Sequence, residues 1–192
     1  LFNQAIADIE AGEGIAFIDP HGDEAKRLID AIPPARTNDV VLFDVTDTDF
    51  PIAFNVTSGV PPSERHQRVA AIVSSMAHVF ALDGSWGHQT AQLVHHGVFT
   101  LMDADLSIVA LPRLFLDDEF RQRLIPQATD PVVRQYWAHG FEEYRKEMQD
   151  SKTAPPLNKI EELLSAPAVR NILGAPKNKI DLRHIIDTRK IL

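Results

Sequence analysis

The sequence contains no cysteine, which excludes a disulfide framework and metal sites built from thiolates. It also lacks any run of about 18 uncharged apolar residues, the length needed to cross a bilayer. No basic segment followed by an apolar one stands near its start, so the pattern of a signal peptide is missing as well. We therefore expect a soluble, cytoplasmic chain.

A concentrated basic surface is also missing. The formal net charge is −8, and the first 60 residues carry all of it, because acidic and basic residues balance over the rest of the chain. Proteins that bind nucleic acid by themselves usually present a cluster of Lys and Arg. The composition thus argues against autonomous nucleic-acid binding, and it leaves room for a few basic loops that act in an oligomer.

Two short apolar runs near the N-terminus have the pattern of strands that are buried on both faces. They cover 15–18 and 40–43, and a carboxylate follows each of them, Asp19 and Asp44. A helical pattern over 22–32 lies between them, and the step of about 25 residues fits a right-handed βαβ crossover. The sequence therefore predicts parallel strands with both carboxylates at the edge where ligands bind.

The middle of the chain has the apolar spacing of helices. We predict helices over 64–82 and 88–102, and a third one, capped by Asp130, whose apolar face continues to Met148. Residues 151–156 are polar and contain proline, and we predict a linker there. All of these elements belong to one helical subdomain.

The end of the chain resembles its beginning. A short helix capped by Asp181 precedes 190–192, which have the pattern of another strand. The predicted fold class is therefore α/β, a parallel sheet with an inserted all-α subdomain. We place part of the sheet domain at 1–60, the all-α insertion at 61–175 and the return into the sheet domain at 176–192.

The string IDPHGD is the most informative motif in the chain. A strand would carry Asp19 to the edge of the sheet, and Gly22 would allow a tight turn into the following helix. Three interpretations stay open. The string is a simple strand-to-helix turn, a metal-binding cluster of Asp19, His21 and Asp23, or a loop beside a nucleotide.

Several strings occur in an order that is typical of one family. They are GIAFIDPHGDEAKRLIDAIPPARTNDVVLFDVTDTDFPIAFNV near the start, then DPVVRQYW, PAVRNILG and IDLRHIIDTRKIL. Together they resemble the TraD/TraG-type coupling proteins of conjugation and type IV secretion, which are P-loop pumping ATPases of the FtsK/HerA type. The resemblance covers nearly the whole chain.

This resemblance implies a bacterial, ATP-driven DNA translocase with a RecA-like sheet, an inserted all-α domain and a homo-oligomeric ring, usually a hexamer. It implies ATP and Mg²⁺ as cofactors of the parent protein, and DNA, a relaxase and accessory proteins as its partners. The parent could be anchored at the inner membrane by upstream helices. By the same resemblance, Asp19, His21 and Asp23 lie near the nucleotide. The basic residues expected to contact phosphate or a neighbouring subunit are Arg170, Lys177 and Lys179.

The chain departs from the family pattern at its phosphate-binding motifs. None of its nine Gly residues is followed by Lys, so no Gly-x-x-x-x-Gly-Lys-Ser/Thr loop is present. The string LFLDDE at 114–119 looks like the acidic strand motif, yet Asp117 is better placed as a helix N-cap. The chain starts at Leu1, and we expect a fragment in which no residue is catalytic and which hydrolyses no ATP.

The remaining polar and aromatic candidates favour structural roles. His88 and His95 share a helix face but have no carboxylate one turn away, so we predict no metal site there. Trp86 and Trp137 are expected in the helical core. Two rival functions stay open: a non-catalytic protein-interaction module, and a metal-dependent hydrolase built on the IDPHGD string.

Overall fold

The structure, a computed structural model, describes residues 1–80 and 86–192. Of these residues 65% are helical, and they contain no β-strand and no sheet. The predicted α/β class with a partial RecA-like parallel sheet is therefore wrong: the described chain is mostly all-α. In the same residues, no helix is both long enough and apolar enough to cross a membrane.

The chain divides into two compact units. The terminal unit consists of Leu1–Asp44 and Ile180–Leu192, and the central unit consists of Val45–Lys179. Each unit has its own cluster of buried apolar side chains.

The helices are short except in the central unit. In chain order they are α1 (Phe2–Glu10), α2 (Asp23–Asp30), α3 (Arg65–Phe80), α4 (His88–Asp103), α5 (Leu111–Leu116), α6 (Asp118–Leu124), α7 (Pro131–Gln135), α8 (Lys146–Ser165), α9 (Pro167–Leu173) and α10 (Leu182–Asp187). A π-helical turn, Tyr136–Phe141, follows α7, and a 3₁₀ segment, Pro34–Asp39, follows α2.

The two predicted strands and the returning one contact each other without forming a sheet. Ile191 makes one isolated parallel bridge to Ile15 and another to Val40. A β-ladder needs consecutive bridges, and Ile191 alone provides one on each side. The expected burial on both faces also fails, because Ile18 is 89% exposed. The apolar run 15–18 is therefore an extended segment with one face against a helix.

The predicted long helices of the central unit are confirmed. Helix α3 covers the predicted segment up to Phe80, and residues 81 and 82 of that prediction lie outside the described part of the chain. Helix α4 agrees with the predicted 88–102 to within one residue. The expected core position of Trp137 is confirmed by its complete burial, and Trp86 is half-buried against the same core.

Two predictions for the second half of the central unit are wrong. The expected linker 151–156 lies inside α8, which continues through Pro155 and Pro156. These prolines remove two helical hydrogen bonds, and burial of Pro156, Leu157 and other apolar side chains offsets this loss. The helix expected to run from Asp130 to Met148 is interrupted: the helical path continues from α7 through the π-helical turn to Phe141, and residues 142–145 are not helical before α8 begins at Lys146.

Three predicted helix caps are confirmed by their hydrogen bonds. The carboxylates of Asp117, Asp130 and Asp181 accept from backbone N–H groups in the first turns of α6, α7 and α10. Asp117 therefore begins a helix and does not end a strand. Its cap bond to the Phe120 N–H, with the Arg113 side chain beside it, lowers the pKa of Asp117.

Helix α4 is the centre of the central unit. Every residue from His96 to Met102 is buried, so this part of the helix has no solvent-facing side. Gly97 allows α5 to approach closely, because a Cβ atom at this position would lie 2.7 Å from Leu111 Cδ2 and 3.0 Å from Phe115 Cε1. The packing of α5 on α4 depends on this missing side chain.

We expect Gly97→Ala to destabilise the chain by about 1–3 kcal/mol, because overpacking forces the Leu111 and Phe115 side chains to move. Gly140→Ala is the matched control, since its Cβ would meet only Tyr136 Cδ2 at 3.7 Å. Urea unfolding followed by circular dichroism measures both variants. Equal unfolding midpoints for the two variants would contradict the close packing of α4 and α5.

Candidate functional site

The terminal unit brings three distant backbone segments side by side. Residues 190–192 lie between 15–17 on one side and 39–41 on the other, and all three run parallel. Ile15 N donates to Lys190 O at 3.2 Å, and Val41 N donates to Ile191 O at 2.7 Å. Because the segments are parallel, the chain leaves 15–17 and 39–41 at the same end, where Asp19 and Asp44 follow.

The Arg36 side chain holds these segments together. Its guanidinium donates to Ile9 O at 2.9 Å, Glu13 O at 3.3 Å and Arg189 O at 2.7 Å. It also forms an ion pair with Asp39 at 2.7 Å, and Lys190 Nζ approaches the other oxygen of Asp39 at 2.7 Å. Hydrogen bonds from Lys190 and Arg36 lower the pKa of Asp39.

The sequence alone does not reveal that Arg36 holds these segments together. Its partners lie 23, 27 and 153 positions away in the chain, so no local pattern contains them. The only local signal is Asp39 at i+3, which is an ordinary helical ion-pair spacing. The role of Arg36 becomes visible only when the termini of the chain meet.

The Asp19 side chain is a cap for helix α2. Its Oδ2 accepts from the backbone N–H groups of Glu24 at 2.9 Å and Ala25 at 3.0 Å, and its Oδ1 accepts from His21 N at 3.0 Å. These hydrogen bonds, with that from Ala25 the largest, lower the pKa of Asp19. Gly22 sits at the helix N-cap with φ of 81°, in the left-handed region that favours glycine.

The other two residues of the IDPHGD string lie on the same turn. His21 and Asp23 are exposed, and Asp23 begins α2, where a negative charge is favourable. Among the described residues there is no group of three or more His, Asp or Glu side chains that could hold a metal ion. The geometry of this turn is that of a helix cap.

The three predicted basic residues belong to the central unit. Arg170 closes the C-terminus of α8, because its Nη1 donates to Leu164 O at 2.5 Å and Ser165 O at 2.9 Å. Lys177 and Lys179 are exposed and form no ion pair with the described residues. The Arg170 side chain therefore has a structural role, whereas the side chains of Lys177 and Lys179 are available to bind a partner.

The histidines on α4 occupy three different environments. His88 is exposed, His95 is half-buried and His96 is buried with 8% of its surface exposed. His96 Nδ1 has no hydrogen-bond partner among the described residues. Helical periodicity alone does not distinguish His96 from its neighbours on α4.

A second charged residue that the sequence analysis missed is Arg121, which is fully buried. It pairs with Glu142 at 2.5 Å and Asp118 at 2.7 Å, and it donates to the carbonyls of Leu114 and Phe115 at the end of α5. Every contact is internal to the central unit. Arg121 therefore joins α5, α6 and the segment after the π-helical turn, and it offers nothing to a ligand.

Comparison with protein-family models, with curated proteins and with solved structures found no match for this chain.

We expect Arg36→Ala to lower the free energy of unfolding by about 2 kcal/mol, because it leaves three carbonyl groups without their charged donor and Asp39 with Lys190 as its remaining charged partner. Arg27→Ala is the control, since Arg27 is exposed, pairs with Glu24 on the same helix and otherwise lies over the Phe2 ring without bonding a distant carbonyl. Urea unfolding measures the difference. Hydrogen exchange at Ile15, Val41 and Ile191 should accelerate in Arg36→Ala alone, and equal exchange in both variants would contradict the assigned role.

We expect Asp19→Ala to weaken α2 more than Asp23→Ala does, because only Asp19 accepts hydrogen bonds from the helix amides. Since folding lowers the pKa of Asp19, its contribution is present above the ordinary Asp value of 3.8 and is lost as the pH falls below it. Hydrogen exchange at the Glu24 and Ala25 amides measures the effect. Unchanged protection in Asp19→Ala at pH 7 would refute the cap.

Proposed function

We propose that this chain is part of an ATP-driven DNA translocase of the coupling-protein type that acts in conjugation or type IV secretion. One observation of the geometry carries the proposal. Stretches inside the first and the last of the strings that carry the resemblance supply the three parallel segments that meet in the terminal unit. The end of the chain thus returns to lie parallel to two segments near its beginning, which supports the proposal.

The chain's own residues do not fit a complex of ATP and Mg²⁺. No Gly is followed by Lys in the sequence, and both oxygens of Asp19 are occupied by backbone amides. We therefore assign triphosphate and magnesium binding to a part of the parent protein outside these 192 residues. In this proposal, Asp19 fixes the shape of the turn, and the exposed His21 is the side chain that faces the nucleotide side.

The central unit serves the partner side of the proposed function. The helices of this unit enclose its own core. Of the three predicted basic contacts, Arg170 bonds to α8, whereas Lys177 and Lys179 are exposed and available to a partner. Acidic and basic residues balance beyond residue 60, which suits a surface that faces protein better than one that coats DNA. We propose that this unit receives the relaxase–DNA substrate or an accessory protein within a ring, which we expect to be a hexamer.

A second candidate is a non-catalytic protein-interaction module. The use of Asp19 as a helix cap favours it, because a structural carboxylate requires no nucleotide. The two candidates differ in one measurable property: the full-length gene product hydrolyses ATP if it is a translocase and does not if it is an interaction module.

We expect the 192-residue chain to hydrolyse no ATP, and the full-length gene product to hydrolyse ATP with Mg²⁺ at a rate that DNA stimulates. In the full-length protein, His21→Ala should lower kcat/KM for ATP by about tenfold, which corresponds to about 1.4 kcal/mol. Glu10→Gln, an exposed change on α1, is the control and should leave the rate unchanged. A coupled assay of phosphate release measures all four proteins.

A full-length protein that is folded and hydrolyses no ATP overturns the translocase proposal in favour of the interaction module. Turnover by the 192-residue chain, lost in the double variant Asp117→Asn, Glu119→Gln, would instead overturn the assignment of catalysis to the rest of the parent.

A further inference from the structure

The π-helical turn after α7 is attached to helix α4 by two neighbouring contacts. The Tyr136 ring stacks on the His96 ring, with centroids 3.9 Å apart and planes 18° apart. One residue further along, Trp137 Nε1 donates to Thr100 Oγ1 at 2.9 Å. His96 and Thr100 are four residues apart on α4 and therefore lie on the same side of the helix.

These two contacts differ in how well they satisfy the polar atoms involved. Thr100 Oγ1 accepts from Trp137 and donates to His96 O at 2.8 Å, so this contact is complete. His96 Nδ1 is buried without a partner among the described residues. A neutral imidazole tolerates this position, because one of its nitrogens carries no proton and needs no acceptor.

Among the residues that the structure describes, His96 Nδ1 has no hydrogen-bond acceptor, so a proton there would gain none. On its own helix the neighbour is His95, whose ring centroid lies 5.3 Å away and whose charge would repel it. From α3, His66 lies beside Phe99 and within 3.3 Å of Asp130, the residue that precedes α7. The Asp130 carboxylate, whose Oδ1 accepts from Val132 N at 2.7 Å, favours a charge on His96, but burial and the neighbouring His95 outweigh it.

Within the described parts of the chain, the remaining elements around α4 supply no further counter-charge to His96. The π-helical turn contributes Tyr136, whose hydroxyl pKa burial raises to about 12 with a further contribution from Tyr144. On α8, Lys152 is bonded to Gln89, two turns away from His96 along α4, and its Nζ lies over the Tyr144 ring. The packed side of α5 is apolar at this contact, with Leu111 and Phe115 against Gly97.

We propose that the His96–Tyr136 stack is a proton-operated latch: when His96 takes up a proton, the stack opens and the segment 131–145 leaves helix α4. The π-helical turn is the movable element, because its hydrogen-bond register already departs from that of the helix before it. This inference does not depend on the proposed function.

The direction of the pH dependence follows from the environment of His96. Burial, with the adjacent His95 as a second cause, lowers the pKa of His96 from 6.5 to about 4, and burial also lowers the pKa of His95. In the open form His96 meets water and regains its ordinary value, so the open form binds more protons between these two limits. The closed form therefore loses stability as the pH falls from 6.5 towards 4.

Hydrogen exchange of the whole 192-residue chain tests the latch. After correction for the intrinsic rate of each amide, the protection of 131–145 should fall by close to tenfold per pH unit between about 6.5 and 4. The protection of α3, which the latch does not hold, should change much less over the same range. In a Trp86→Phe background, the fluorescence of Trp137 reports the same opening.

Two variants separate His96 from other groups that titrate. His96→Phe keeps an aromatic ring against Tyr136 and takes up no proton, so its protection should stay constant over this range. His139→Gln is the control on the same turn, because His139 is exposed and contacts only Glu143; it should keep the pH response of the parent chain. Equal pH dependence in His96→Phe and the parent chain overturns the proposal.

A measurement on the unchanged chain covers the case in which His96→Phe does not fold. NMR of the His96 Cε1–H group should show a titration below pH 5 that is accompanied by shifts of the Tyr136 ring signals. If His96 titrates near pH 6.5, or if its titration leaves the Tyr136 ring signals unchanged, then protonation of His96 is not coupled to the stack, and the proposal is overturned.

Discussion

The central unit depends on covering helix α4. A helix that is apolar on all sides has to be surrounded, and the stretch from His96 to Met102 is buried throughout. Helices α3, α5, α7 and α8 all pack against it. The absence of a side chain at Gly97 sets the distance between α4 and α5, and the hydrogen bond to Thr100 Oγ1 fixes the position of the Trp137 indole. Among the described residues of this helix, His96 Nδ1 is the buried side-chain polar atom that the packing leaves without a hydrogen-bond partner.

Charged side chains are used in this molecule mostly to tie backbone segments together. Arg36 donates to carbonyl oxygens of separate segments, and Arg121 donates to two adjacent carbonyls at the end of α5; each also has a carboxylate partner. Arg170 donates to two adjacent carbonyls at the end of α8. A guanidinium group suits this task because its donors point in several fixed directions. Removing such a group costs more than one ion pair is worth, since several carbonyl groups lose their partner together.

Local features of the fold could be predicted from the sequence, and features that depend on distant contacts could not. The caps at Asp117, Asp130 and Asp181 were predictable because a carboxylate and the amides it accepts from are two or three residues apart. The sheet was wrongly predicted because an apolar run such as 15–18 has the same pattern whether one face is covered or both are. Proline in 151–156 suggested a linker, yet the tertiary packing of α8 outweighed the local preference.

The candidate site shows the same division. The turn at Asp19 was recognisable from the sequence, but its role as a cap depends on the positions of two helix amides. Arg36, Arg121 and His96 escaped notice because each acquires its role from elements far away in the chain or from the lack of a partner there. Periodicity reports which side of a helix is apolar; it does not report whether a polar atom on that side finds a partner.

Under the proposed function, the basic side chains near the C-terminus limit how strongly this chain itself can bind DNA, because several of them already have partners. Of the basic residues near the C-terminus, Lys190 is paired with Asp39 and Arg189 with Glu13, while Arg170 caps α8. Binding to a phosphate backbone grows with the number of cations that displace counterions, and each such contact adds to the salt dependence of the affinity. Lys177, Lys179 and Arg183, which are exposed and have no ion pair with the described residues, would give only a weak salt dependence of the affinity. Under the proposed function, most contacts with DNA therefore have to come from other parts of the protein, and the net negative charge of this chain is better suited to a protein partner.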